Sequence, residues 1–215
     1  MRNLCLILVA VVMMATASPS MAADKMDLAR LILKLSCLAC DLSGANLKHV
    51  KLKGANLKGS NLNGANLSNS SLTAADLSET TLRAADLSSA NMSDTKLWRA
   101  QLIRANLKRS SLRRSNLNET NMKHADLSGA DLRRASLYGA QLESANLSRA
   151  NLEGANLDSA NMVRANLTNA DLRRANLART DLSTANLSGA KLDGAQFCLT
   201  KMPDGKMKND DCSLR

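Results

Sequence analysis

Aromatic residues are nearly missing from this chain of 215 residues, which holds one Trp, one Tyr and one Phe. A globular core of that size normally leans on several aromatics, so any core must be built from Leu and Ala. Histidine is equally scarce. The two present, His49 and His124, lack ligand spacing, so no zinc site is expected, and no other metal or cofactor. There is no Gly-rich phosphate loop, no nucleophile elbow and no Ser-His-Asp constellation, so the chain does not read as an enzyme. Beyond the first 22 residues no stretch is apolar enough to cross a membrane. Apolar residues still make up 45% of the chain, which argues against disorder for want of a core.

What fills the chain is one motif of five residues, repeated 32 times without a slip from Cys40 to Leu199. The central residue i falls at every position from Leu42 to Phe197 that ends in 2 or 7, and it is Leu in 28 of them. Position i−2 is Ala in 22 motifs, and position i−1 is Asn or Asp in 22. A step of five turns a residue by about 140° on an α-helix, so the leucines would sweep around its whole surface. In a flat strand an odd step flips every second Leu to the other face. A chain that bends once per motif keeps all of them inside. Positions i and i−2 then point inward, and i−1, i+1 and i+2 are expected to face solvent. Asn or Asp at i−1 suits bonds to backbone groups at a turn, and stacked Asn can form ladders between coils.

Motifs such as Ala45-Asn46-Leu47-Lys48-His49 and Ala165-Asn166-Leu167-Thr168-Asn169 follow the pattern A-(D/N)-L-x-x. In this the chain resembles the pentapeptide-repeat proteins, over about three quarters of its length. The resemblance implies an all-β fold, a right-handed quadrilateral β-helix with four motifs per coil. Thirty-two motifs then make eight coils, a rod roughly 38 Å long at a strand spacing of about 4.8 Å. Sorting by every fourth motif agrees. The column from Leu47 to Leu187 has Leu at i and Ala at i−2 throughout. The column from Leu42 collects Cys40, Ser60, Thr80, Thr120 and Thr180 at i−2.

The flanks suggest four segments: a signal peptide over 1–22, a helical N-terminal cap over 23–39, the repeat over 40–199 and a C-terminal cap over 200–215. Arg2, the apolar run Leu4 to Ala15, and Ser20-Met21-Ala22 read as a Sec-type signal, giving a mature chain from Ala23. The destination is then the periplasm, a thylakoid lumen if the source is a cyanobacterium, or the exterior. Asp24 to Leu35 has a helical spacing of Leu28, Leu31, Ile32 and Leu35, with Asp24 or Asp27 to cap it. Met202-Pro203-Asp204-Gly205 is a turn signature in a hairpin-like lid. Cysteine pairing follows from the rod that the resemblance implies. Bridged Cα atoms lie within about 7 Å, so Cys198 should pair with Cys212 at one end, and Cys37 with Cys40 at the other if either is bonded. A redox role for the Cys37-x-x-Cys40 pair lacks its βαβ context.

A filled rod offers no concavity, so function must lie on the outward columns. The formal net charge is +10. Lys96 to Arg134 holds ten Lys/Arg against three Asp/Glu. Arg113-Arg114 and Arg133-Arg134 stack on adjacent coils, Arg173-Arg174 continues the column after Glu153, and Arg104 and Lys123 are assigned to the neighbouring face. These suggest an anion-binding stripe, and the plain alternative is a solvated surface. Trp98 and Tyr138 share another outward column and could anchor a partner. The leading reading is a non-enzymatic exported scaffold, monomeric, that docks another protein. The second is a binder of anionic polymer or membrane. A third comes from the resemblance: gyrase-inhibiting members mimic DNA, but that needs an acidic, cytoplasmic protein.

Overall fold

The computed structural model describes residues 24–210 and 212, so the expected signal peptide lies outside the described residues. One ladder organises the chain. Isolated parallel bridges join residues 20 apart, from Ser36–Asn56 to Asp181–Lys201. Each rung exchanges backbone bonds: Leu42 N–H donates to Asn61 O at 2.8 Å, and Asn61 N–H donates to Cys40 O at 2.8 Å. Four turns occur within each 20-residue step, so the coils are four-sided.

The turn explains why five residues suffice for one side. Ala45 N–H donates to Leu42 O at 3.1 Å, and position i+2 has positive φ in every motif, from Gly44 at 64° to Leu199 at 52°. That is the signature of a type II turn. Position i−1 locks it from the side, as Ser43 N–H donates to Asp41 Oδ1 at 3.0 Å and Ser148 N–H to Asn146 Oδ1 at 3.2 Å. The same side chains also reach between coils: Asn146 Nδ2 donates to Asp126 Oδ1 at 3.3 Å, and Asn166 Nδ2 to Asn146 Oδ1 at 3.2 Å.

The core is made of positions i and i−2, as expected, and runs as one cluster from Leu28 to Phe197. Position i−1 corrects the solvent-facing expectation. It is mostly half-buried, because its backbone forms the rung and its side chain is wedged between its copies on neighbouring coils. Polar residues at i−2 are buried, and their hydroxyls donate to carbonyls: Thr120 Oγ1 to Leu117 O at 2.7 Å and Thr180 Oγ1 to Leu157 O at 2.9 Å. Ser70 is the exception, with no partner for its hydroxyl among the described residues.

The ends are finished differently. Helix α1 (Lys25–Lys34) is capped by Asp24, whose side chain accepts from Met26 N–H at 2.7 Å. Asp27 does not cap. Its Oδ2 accepts from Asp41 N–H at 2.9 Å and ties the helix to the first coil. Leu28 and Leu31 are buried against the stack. Leu35 departs from the expected apolar face: it ends the helix at φ 50° and is 42% exposed. At the other end β1 (Thr200–Lys201) and β2 (Met207–Lys208) form an antiparallel hairpin. Gly205, at φ 82°, closes the turn between them, and its N–H donates to Met202 O at 2.9 Å. The disulfides Cys37–Cys40 and Cys198–Cys212 are both present. The hairpin continues the ladder on the sides of Leu177 and Leu182. Leu187, Ala190 and Leu192 on the other two sides are only partly buried, so the lid covers part of the final coil.

Candidate functional site

The turn positions i+1 and i+2 are where side chains leave the rod, and the 20-residue register stacks them in columns. On the corner after Leu112, Leu132, Leu152 and Leu172 the columns read Arg113, Arg133, Glu153, Arg173 and Arg114, Arg134, Gly154, Arg174. They line a shallow cleft of about 240 Å³ formed by Arg113, Arg114, Arg133, Arg134, Glu153, Gly154 and Arg174. A filled rod was expected to have no concavity. The cleft arises because Gly154 places no side chain in an otherwise arginine-rich column. A Cβ there would sit 3.7 Å from Arg134 Cγ.

The arginines of the cleft are not equivalent. Arg114 donates to both carboxylate oxygens of Asp94, at 2.7 and 2.8 Å. Arg133 does the same to Asp131 within its own motif, at 2.9 and 2.6 Å. Arg113 is more loosely placed, 3.9 Å from Asp131. Arg134 and Arg174 have no carboxylate partner among the described residues. The pairing shows in the acids. The Arg114 hydrogen bonds hold the Asp94 carboxyl below its usual range, and those from Arg133 do the same to Asp131. Glu153 adds a negative charge that acts on both Arg133 and Arg173.

Other expected residues lie elsewhere. Arg104 and Lys123 follow Leu102 and Met122, two motifs from Leu112 in a coil of four, so they occupy the opposite corner from the cleft and not its neighbour. Lys123 Nζ is 3.3 Å from Glu143, whose carboxyl is held low by Lys123 and Arg164. Trp98 and Tyr138 do share a column on a third corner. Arg99 covers the Trp98 ring at 4.3 Å and pairs with Glu119 at 2.7 Å, so Trp98 is half-buried. Tyr138 is 44% exposed. Between them Asn118 Oδ1 accepts from Ser136 Oγ at 2.6 Å and Tyr138 N–H at 3.1 Å. Arg174, expected to continue the arginine column beyond Glu153, does line the same cleft as Arg134, with Gly154 between them at 20-residue spacing.

Asp27, Cys37 and Cys40 bring three potential ligand atoms together, but both sulfurs are spent in the disulfide. The cleft can hold negative charge, and the aromatic corner can pack against an apolar surface.

The model of pentapeptide repeats matches eight copies, through residues 40–78, 60–99, 99–134, 135–174 and 165–202. The chain belongs to the pentapeptide-repeat family. Among solved members of known architecture, the pentapeptide-repeat chain is similar to trypsin-treated QnrB1, a plasmid-mediated fluoroquinolone resistance protein. The identity is 19%, the TM-score is 0.59, and the match covers 75% of this chain and 79% of that one. It is also similar to HetL, a pentapeptide-repeat protein involved in heterocyst differentiation regulation from the cyanobacterium Nostoc. There the identity is 29%, the TM-score 0.28, and the coverage 80% and 92%. No curated protein matches the chain in sequence. The QnrB1 likeness supports the coiled fold of this pentapeptide-repeat protein and carries no function to it.

Proposed function

We propose that this chain is a non-enzymatic interaction module, exported to an oxidising compartment, that presents a partner protein with columns of side chains on a rigid rod. The stack is read as eight right-handed coils and as a monomer. The observation that carries the reading is the division of labour within the motif. Positions i and i−2 are closed to ligands, while i+1 and i+2 are held at fixed spacing by the ladder and its turns. Two disulfides and the basic, apolar and small-residue succession of residues 1–22 support the compartment. The test is photocrosslinking from position 98 or 138, with position 83 on another corner as control. One partner recovered from the aromatic corner and not from the control is expected. Equal recovery from all three positions would end the proposal.

A second reading is favoured by the arginine cleft: the module holds an anionic polymer or membrane surface. Retention on heparin or anionic liposomes should then fall steeply with salt and weaken when Arg113, Arg114, Arg133 and Arg134 become Ser. Retention that ignores those changes would end this reading. DNA mimicry is not adopted, because the chain carries a net charge of +10.

A further inference from the structure

We propose that Arg134 and Arg174, which line one cleft on the coils either side of Gly154, form a clamp for one tetrahedral oxyanion, a phosphate or sulfate group. The proposal rests on the second reading above and gives it a defined site. Three observations carry it.

The first is the state of the donors. Within one cleft, Arg114 and Arg133 spend their forked N–H groups on Asp94 and Asp131. Arg134 and Arg174 spend theirs on no carboxylate among the described residues. Guanidinium groups match oxyanions with two parallel N–H bonds, so these two, together with Arg113 that lies 3.9 Å from Asp131, are the binding groups of the patch not hydrogen-bonded to a carboxylate.

The second is the gap. Arg134 and Arg174 lie 40 residues apart, two coils along one column, which separates their backbones by about 10 Å. Gly154 stands midway and adds nothing above its Cα. Two arginine side chains can close on one ion over that glycine.

The third is recurrence. On the adjoining corner the i+2 column reads Arg109, Gly129, Arg149, the same order of arginine, glycine and arginine at 20-residue spacing. The two clamps lie 25 residues apart, one coil and one corner. A repeated clamp suits oxyanions carried at intervals on a chain better than a single free ion. Glu153 in the first cleft repels an anion and weakens the clamp.

The experiment measures binding of heparin, and separately of inorganic sulfate, to the full mature chain by calorimetry. Three variants are compared with the wild type: Arg134→Gln/Arg174→Gln, Arg83→Gln/Arg104→Gln and Glu153→Gln. The first two each remove two positive charges, and Arg83 and Arg104 lie on the corner opposite the cleft. A matching urea midpoint shows that each variant folds. The clamp variant should weaken heparin binding by about tenfold or more, because it removes both guanidinium donors of the clamp. The control should change it by less than about threefold, as expected of screened surface charge, and Glu153→Gln should tighten it. Sulfate binding as tight per site as heparin would assign the clamp to a free ion; much weaker sulfate binding assigns it to a polymer-borne group. Equal losses in the two double variants would overturn the clamp and leave the broader anion-binding reading standing. Failure of the wild type to bind either probe would overturn both.

Discussion

Two buried serines offer a matched test of how this core tolerates polar atoms. Ser70 and Ser110 occupy the same i−2 column, two coils apart, and are 2% and 1% exposed. Ser110 Oγ donates to Leu107 O at 2.8 Å, whereas Ser70 Oγ has no partner among the described residues. Most other motifs have Ala at this position, so Ser→Ala restores the usual packing. In Ser70→Ala the change removes an unpaired buried hydroxyl, and a gain of about 1 kcal/mol or more is expected. In Ser110→Ala it removes a made bond, at a cost of about 1 kcal/mol. The cost stays at that level because Leu107 O keeps the Ser110 backbone N–H at 3.1 Å. The same atom leaves an equivalent site in both variants, so the difference of about 2 kcal/mol isolates the hydrogen bond. With a urea slope of about 2 kcal/mol/M, the two midpoints should separate by about 1 M, one above the wild type and one below. A Ser70→Ala midpoint lowered as far as that of Ser110→Ala would refute the reasoning, since it would mean the Ser70 hydroxyl is bonded.

Leu127→Asp puts a charge in the middle of the stack, where it has no partner, and should cost several kcal/mol; an unchanged urea midpoint would sink the inward assignment of position i. Ala84, at φ 53°, should gain about 0.5 kcal/mol on replacement by Gly, because relief of the left-handed strain exceeds the entropy that Gly adds to the unfolded chain. Cys212→Ser opens a loop whose ends are 14 residues apart and should cost about 3 kcal/mol in the chain-entropy model, read from thermal unfolding with and without reductant. Asp131 and Asp171 have carboxyls lowered first by the Arg133 and Arg173 hydrogen bonds. A lowered folded pKa gives stability that is present above the unfolded value of about 3.9 and lost as pH falls through the folded value. Thermal stability should therefore decline below about pH 4, and less so in Asp131→Asn, which has already lost the pairing.

The fold was legible because one periodicity sets everything. A Leu every five residues excludes helix and flat strand alike, and the every-fourth-motif sorting matches the ladder of residues 20 apart. The half-burial of position i−1 was less legible. Asn146 looks like a surface residue in a single motif, and only the coils above and below it turn its side chain into part of the stack. The site was partly legible. Arg113, Arg114, Arg133 and Arg134 do line one cleft. Arg104 and Lys123 do not, because linear proximity to the arginine pairs conceals a half-coil rotation. Ion pairing was the least readable feature. Arg134 and Arg114 sit at the same motif position, and what separates them is Asp94, one coil back, which Arg114 reaches. That distinction depends on which side chain lies 20 residues away, and composition counts the two arginines alike.

Every placement above, the clamp included, depends on residues 20 apart lying side by side at the same corner. The most direct test introduces cysteines at Ser89 and Arg109, both exposed turn positions with positive φ. At a coil spacing of about 4.8 Å their Cα atoms fall within bridging range. Mild oxidation followed by peptide mapping should recover a disulfide between positions 89 and 109. The pair at 89 and 114, 25 residues apart and one corner away, should stay reduced. A bond in the second pair but not in the first would contradict the four-sided stack and everything read from it.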